Sequence, residues 1–441
     1  MQNRHAVSRF GFPALFRQFV STAVLRGLFR VCGPQRRCPT RLSGPELIMG
    51  MVFHGLAGAG TLGQHVRELT GQAISDSALS QRRQALHWQI FESILEAALK
   101  PKADPAQHPQ AFYQGLRLCG LDGSRFSVAN TPQIKKEMDK ATSRRMKAAF
   151  AKVGVAVMVE LGIHNPIAAA IGAKDESERV LAERLLDQLP ERSLLIADRY
   201  YGVPKMLATL REMHPRGRRE FLVRVRANIR SKVIEAYADG SAWVEVQSEG
   251  TKLLVREIAG RVRRGRGVWS EVRLWTSLLD WRRHGAQEML GLYARRWEQE
   301  GFYRELKVDM RSAELLQSHT PLTAAQEVAA LILGYALLVE ERIKAAGVGQ
   351  TEVLRISFLK TLEVVRGLWR FLETTDGILT AQQVRTTVRR TMRKIADMAI
   401  PKRRQRSCPR AVRQPVSSWP RLLKNTSQEC APEYQLLTVS H

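Results

Sequence analysis

Tyr293 to Lys307 reads YARRWEQEGFYRELK. Three glutamates sit there among three arginines and a lysine, in a chain whose 69 Lys and Arg outnumber 42 Asp and Glu and leave a net charge of +27. On a helical wheel of ~100° per residue, Tyr293, Arg296, Glu300 and Lys307 fall within about 60° of one another and form one stripe. Glu298 and Glu305 project to the opposite face, where a solvated charge or an i,i+4 pair is expected. A carboxylate grouped with a phenol, a guanidinium and an ammonium can hold a metal ion while the basic groups hold phosphate. A salt-bridged structural helix is the competing reading of the segment by itself. Trp297, about 60° from Glu300 on the same wheel, is expected to pack the helix onto a sheet, with stacking on an unpaired base as its other use.

Outward from this segment, 441 residues with 44% hydrophobic content suffice for two or three packed units. The excess of base favours a polyanionic partner, because neutralising phosphates releases condensed counterions. Nucleic acid leads, and an anionic membrane surface comes second. The longest apolar run, VAALILGYALLV from Val328 to Val339, is shorter than the ~20 residues that cross a bilayer and reads as a buried core helix. Five scattered cysteines without zinc-ligand spacing predict reduced thiols in an intracellular protein. None of the ten histidines forms an HExxH-like pair, and His164 is expected in a turn.

Short apolar runs bounded by Gly or Pro, LRLCGLDG, AKVGVAVMVELG, PIAAAIGA and RSLLIAD, read as buried strands, with ESERVLAERLLDQLP as an amphipathic helix of about four turns between the last two. Strands alternating with helix indicate an α/β layer. Asp122 and Asp198 each follow an apolar run and are read as closing a strand, where α/β sites assemble; capping of the next turn is the alternative for either. From Glu220 to about Arg283, EFLVRVR, SAWVEVQ, TKLLVREIAG and WSEVRLWTSLL alternate apolar and charged residues, as antiparallel strands with one wet face do. Two Asp and one Glu together could hold two Mg²⁺ ions about 4 Å apart for phosphodiester chemistry.

Upstream, Ser43 to Leu99 is helical in period. TLGQHVRELTG followed by ISDSALSQRRQAL suggests a helix-turn-helix whose second helix, capped near Ser75 to Ser77, presents Ser80, Gln81, Arg82 and Arg83 to DNA. An ordinary helical pair with a solvated basic face is the alternative. KPKADPAQHPQ, Lys100 to Gln110, reads as a linker. The first 45 residues hold no acid, which suits a basic DNA-contacting arm. Ala381 to Asn425 carries thirteen Lys or Arg against Asp397 alone, a block expected to be mobile unless it binds phosphate.

The Tyr-(2)-Arg-(3)-Glu-(6)-Lys spacing of Tyr293, Arg296, Glu300 and Lys307 resembles the signature of the insertion-sequence-four family of bacterial DDE transposases. GLDGSRFSVANTP is similar to that family's first-Asp segment and LLIADRYYG to its second, and the likeness extends from about residue 40 to the basic tail RRQRSCPRAVRQPVSSWPR. Asn130 departs from the pattern, standing where relatives commonly have Asp before the Thr. The resemblance implies an α/β protein with an RNase H-like catalytic core and an inserted antiparallel β subdomain, flanked by helical N-terminal and basic helical C-terminal regions. The expected divisions are a helical DNA-binding region over 1–110, core over 111–220, β-rich insertion over 221–284, core with the catalytic Glu over 285–345, and a basic helical region over 346–441. It further implies Asp122, Asp198 and Glu300 as the catalytic, metal-binding triad for Mg²⁺ or Mn²⁺, two ions in number. Tyr293, Arg296 and Lys307 would grip the element's end. The implied activity is cut-and-paste DNA transposition: water frees a 3′-OH at terminal inverted repeats, a hairpin step follows in well-studied relatives, and the ends join target DNA. The implied partners are double-stranded DNA and a second copy of the chain in the DNA complex, in the bacterial cytoplasm and away from membrane. A DNA-binding remnant that grips ends without cutting is the alternative. An RNase H-like nuclease that never joins strands is a third, disfavoured by the basic arms.

Overall fold

The computed structural model describes residues 11–33, 42–138, 140, 148–172, 176–213, 219–248, 250–264, 269–311, 313–400, 406–407, 428–429 and 432–437. Two compact units emerge, one joining residues 1–189 to 298–399 and the other joining 190–297 to 400–441. The chain therefore divides differently from the five consecutive segments expected from sequence.

The first unit opens with six helices, α1 (Gly11–Phe19), α2 (Thr22–Cys32), α3 (Gly44–Ala57), α4 (Leu62–Thr70), α5 (Asp76–Gln84) and α6 (Trp88–Ala98). Their starts are written in the sequence. Ser43 with Glu46 and Thr61 with Gln64 form reciprocal capping boxes, Ser75 caps α5, and α4 ends on Gly71 in the left-handed region at φ 68°, where glycine carries no Cβ penalty. Strands β1 (Phe112–Tyr113), β2 (Leu116–Ser127), β3 (Lys152–Glu160) and β4 (Asn165–Ile171) follow, with α7 (Pro132–Glu137) between β2 and β3 and α8 (Glu178–Glu183) after β4. Among themselves these four strands pair antiparallel, and Asp122 stands opposite Val157. Asp122 is thus in mid-strand and does not close it. The helix expected over Glu176 to Pro190 shrinks to α8 and a single 3₁₀ turn, Leu186–Gln188.

Lys100 to Gln110 is no linker. Glu160, fully buried, accepts the backbone N–H groups of Lys102 (2.7 Å) and Ala103 (3.1 Å) and pairs with Arg117. Side chains of the N-terminal helices, β2 to β4 and the late helices share one apolar core. A Pro-rich stretch reads as a boundary until a buried carboxylate far along the chain supplies its hydrogen-bond partners.

Unit two contains β5 (Ser193–Ala197), α9 (Pro204–Met213), β6 (Arg219–Arg224), β7 (Lys232–Ala236), β8 (Ala242–Ser248), β9 (Thr251–Arg264), β10 (Ser270–Thr276) and α10 (Ala286–Tyr293). β5 and β6 are parallel across α9; β6, β10, β9, β8 and β7 then pair in that order, all antiparallel. The last described strand, Pro432–Leu437, pairs antiparallel with the second half of β9. Arg256 is fully buried in this unit, donating from Nε to Ser241 Oγ at 2.8 Å and pairing with Asp239.

α11 (Trp297–Arg304) leads into the first unit, where α12 (Pro321–Gly349), α13 (Phe358–Thr374) and α14 (Ala381–Asp397) complete it. α12 is the one helix among the described residues long and apolar enough to cross a membrane, and 89% of its apolar window is buried inside the fold. It is the core helix that its sequence suggests. The start of the basic block is ordered as α14, which buries Val384, Met392, Ile395 and Ala396. Apart from Arg406 and Ser407, the tail from Arg403 to Arg421 lies outside the described residues, as do residues 1–10 and 34–41 of the basic N-terminal stretch.

Candidate active site

In the first unit, α11 runs along β2 in the same direction. Gln299, fully buried, lies against Gly120, where a Cβ would come within 2.8 Å of its Cγ. One turn on, the Tyr303 hydroxyl donates to the Asp122 carbonyl at 2.8 Å. Another turn on, Lys307 Nζ donates to Ser124 Oγ at 3.1 Å and to the Arg125 carbonyl at 2.8 Å. Residues 120, 122 and 124 share one face of a strand, so α11 occupies the face to which Asp122 points. Glu300 falls in the chain between the Gln299 and Tyr303 contacts, on the helix that lies along β2. The close approach requires Gly120.

Burial raises the Tyr303 phenol well above its ordinary value, with the charges of Asp122 and Glu178 adding to the effect; the hydroxyl therefore stays a donor. Burial, with Arg311 and Lys152 nearby, lowers the Lys307 ammonium. Asp122 Oδ1 accepts the Gly123 N–H at 2.9 Å. Asn130 donates to the Ala149 carbonyl at 2.9 Å, a bond that an Asp in its place could not make.

The single stripe of the helical wheel is broken by the backbone. α10 ends at Tyr293, Ala294–Arg296 is a 3₁₀ turn, α11 follows, and Glu305–Asp309 is a π-helical turn. Tyr293 and Arg296 belong to the second unit, Glu300 and Lys307 to the first. Trp297 is 38% exposed, with the Arg296 guanidinium 5.0 Å over its ring, so it is not the fully buried anchor that its residue type suggests. Neither remaining glutamate is a solvated charge. Glu298 accepts the Gly162 N–H, and Glu305 is drawn into the core by Arg342, His164 and Tyr335.

Asp198 follows β5 in the second unit, where its Oδ1 accepts the Tyr200 N–H at 2.7 Å and so caps the next turn. Arg82 donates to the Leu42 carbonyl at 2.8 Å. Arg83 corrects the expectation of an outward basic face: its guanidinium donates to Ser318 Oγ and the Thr323 carbonyl, both at 2.9 Å, and ties α5 to the start of α12. Ser80 and Gln81 are the exposed members of that helix face. Tyr303 was legible as a neighbour of Glu300, at i+3 from it and i−4 from Lys307; Gln299 was hidden because its partner is a glycine.

Residues 114–337 match the family model described as the transposase DDE domain. The chain is a DDE transposase. It is similar to the transposase InsG for insertion sequence element IS4 of Escherichia coli K12, at 27% identity over 365 residues covering 79% of this chain and 78% of that one. InsZ of the same strain is 25% identical over 163 residues, covering 37% of this chain and 54% of its own length. Among solved structures, the piggyBac transposase synaptic complex with hairpin DNA gives a TM-score of 0.45 at 10% identity, covering 90% of this chain and 86% of that one, a likeness too weak to bear on function.

DDE transposases typically use divalent metal. Asp122 and Glu300 offer the hard carboxylate oxygens such ions prefer, and they belong to one unit while Asp198 belongs to the other. Among the described residues, no three His, Cys, Asp or Glu side chains stand close enough together to hold an ion.

Proposed function

We propose that this transposase cuts at terminal inverted repeats of its element and joins the freed ends to target DNA, with Asp122, Asp198 and Glu300 as catalytic carboxylates. The placement of Glu300 between the Gln299–Gly120 and Tyr303–Asp122 contacts is the observation that carries the reading. On this reading the chain holds an RNase H-like core, strands β6 to β10 form the inserted β subdomain, and it acts as a homodimer on double-stranded DNA in the cytoplasm. The carboxylates would hold Mg²⁺ or Mn²⁺, two ions, and these would supply activation of the attacking oxygen and charge stabilisation of the leaving one. Tyr303 keeps the Asp122 backbone in place from α11. Lys307, held on β2, brings positive charge to phosphates beside Asp122, and Arg296, Tyr293 and the exposed Trp297 contact the DNA end. Arg82 adds a phosphate contact from α5.

The test is cleavage of DNA carrying the flanking inverted repeats by wild-type and Glu300→Gln protein with Mg²⁺ or Mn²⁺. A metal-dependent nick at the repeat boundary, abolished in the variant while DNA binding persists, is expected. Binding without any cut by the wild type would identify a non-cutting remnant, and cutting by the variant would remove Glu300 from the site.

A further inference from the structure

A π-helical turn follows the helix that carries Glu300. The Met310 N–H reaches the Glu305 carbonyl at 2.9 Å, an i+5 bond. One extra residue in the turn rotates everything after it by about 100° relative to an unbroken α-helix, and such turns recur at functional sites. Lys307 lies inside this turn, so its direction depends on the turn being kept.

Glu305 is the residue through which the turn is held. Its carboxylate accepts from the Tyr335 hydroxyl at 2.6 Å, from His164 Nδ1 at 3.1 Å and from Arg342 at 3.1 Å. Burial opposes its charge, yet Arg342 and His164 hold its carboxyl down at about 2. Arg342 is itself fixed, donating to the Ile356 carbonyl from Nε at 2.9 Å and from a second guanidinium nitrogen at 2.6 Å. Tyr335 and Arg342 both project from α12. His164, in the β3–β4 turn at φ 55°, lays its ring against Gly301, where a Cβ would come within 3.0 Å of Cε1. The same histidine therefore touches the residue after Glu300 and the residue that opens the π turn.

We propose that Glu305 is a positioning residue: with His164, Tyr335 and Arg342 it fixes the π turn and thereby the direction of Lys307 along β2, while the His164 it holds against Gly301 keeps the helix in place beside Glu300. Stability alone does not account for the cluster, because apolar side chains of similar volume commonly match or exceed a buried ion pair in stability. Four polar side chains joined through one carboxylate select one backbone geometry among several of similar packing.

The proposal rests on the transposase chemistry above, and its test separates the two. Glu305→Gln and the apolar triple variant Glu305→Leu/Tyr335→Phe/Arg342→Met are compared with wild type for thermal midpoint, binding to inverted-repeat DNA, cleavage rate, and hydrogen exchange of the peptide covering residues 305–310. The triple variant is expected to melt close to wild type and bind DNA within twofold, while cleaving at least about tenfold more slowly and exchanging faster over 305–310. Cleavage by a folded triple variant within threefold of wild type would overturn the proposal. So would a loss in Glu305→Gln no larger than its loss of folded protein. If wild type itself cuts nothing, the functional reading fails and exchange decides alone: faster exchange over 305–310 in a stably folded triple variant upholds the role of Glu305 in the turn, and unchanged exchange removes it.

Discussion

Replacing Gly120 by Ala tests whether the distance between α11 and β2 governs chemistry. The new methyl would stand 2.8 Å from Gln299 Cγ and 2.9 Å from Leu161 Cδ2, against the ~3.5 Å at which carbon atoms rest. The Leu161 methyl can rotate away. Gln299 is fully buried, with its amide 3.4 Å from the Val157 carbonyl, so the helix must retreat by roughly 0.7 Å. Overpacking of this kind costs about 1–3 kcal/mol, readable by urea unfolding. Since a 1 Å misplacement can cost on the order of 100-fold in rate, Glu300 displaced by about two thirds of that should slow cleavage about 10- to 30-fold, with DNA binding within twofold of wild type. Gln299→Ala added to Gly120→Ala removes the obstructing Cγ and should restore much of the rate. A folded Gly120→Ala protein that cuts at the wild-type rate would refute the link between this spacing and catalysis, and slow cutting unrelieved by Gln299→Ala would refute displacement as its cause.

Glu373 gives a pH-dependent expectation. Burial, then the nearby charge of Glu68, pushes its carboxyl from 4.5 up to about 7. The folded state binds this proton more tightly than the unfolded chain, so the group's contribution to stability is fully present below about pH 4.5 and is lost as pH rises through about 7. The ceiling is about 3.4 kcal/mol; with solvent screening, Glu373→Gln should stabilise by about 1–2 kcal/mol at pH 8 and have little effect at pH 4, and equal unfolding midpoints at pH 8 would contradict it. In the second unit, Arg256→Met takes the paired cation from Asp239, which keeps donors from Ser241 and Ala286, and should cost about 3 kcal/mol. A change below 1 kcal/mol in chemical unfolding would show that the pair contributes little there.

Much of this fold is visible in the sequence because local chemistry and tertiary need agree. Ser43, Thr61 and Ser75 start helices where capping residues precede an apolar period, and the strands at Leu116, Lys152, Asn165 and Ser193 follow runs of Val, Ile, Leu and Ala. β7 was missed, being exposed along most of its length and so without an apolar alternation to mark it. The helical wheel failed between Tyr293 and Lys307 for a physical reason: it assumes one repeat, and the chain passes through 3₁₀, α and π geometry within that span. Glu305 looked like surface charge because its partners, His164, Tyr335 and Arg342, are set by tertiary packing. Arg83 deceived in the same way, its acceptors at Ser318 and Thr323 lying far along the chain.

The pairing of Pro432–Leu437 with β9 has a consequence for biosynthesis. Leu437 is translated 173 residues after Arg264, which at ~5–20 residues per second is a delay of roughly 10–35 s. Throughout that interval the second half of β9 has an open hydrogen-bonding edge, the kind of surface on which nascent chains associate with one another. The charged residues Arg261 and Arg263 lie along that stretch, and their repulsion between chains discourages such pairing until Pro432–Leu437 emerges.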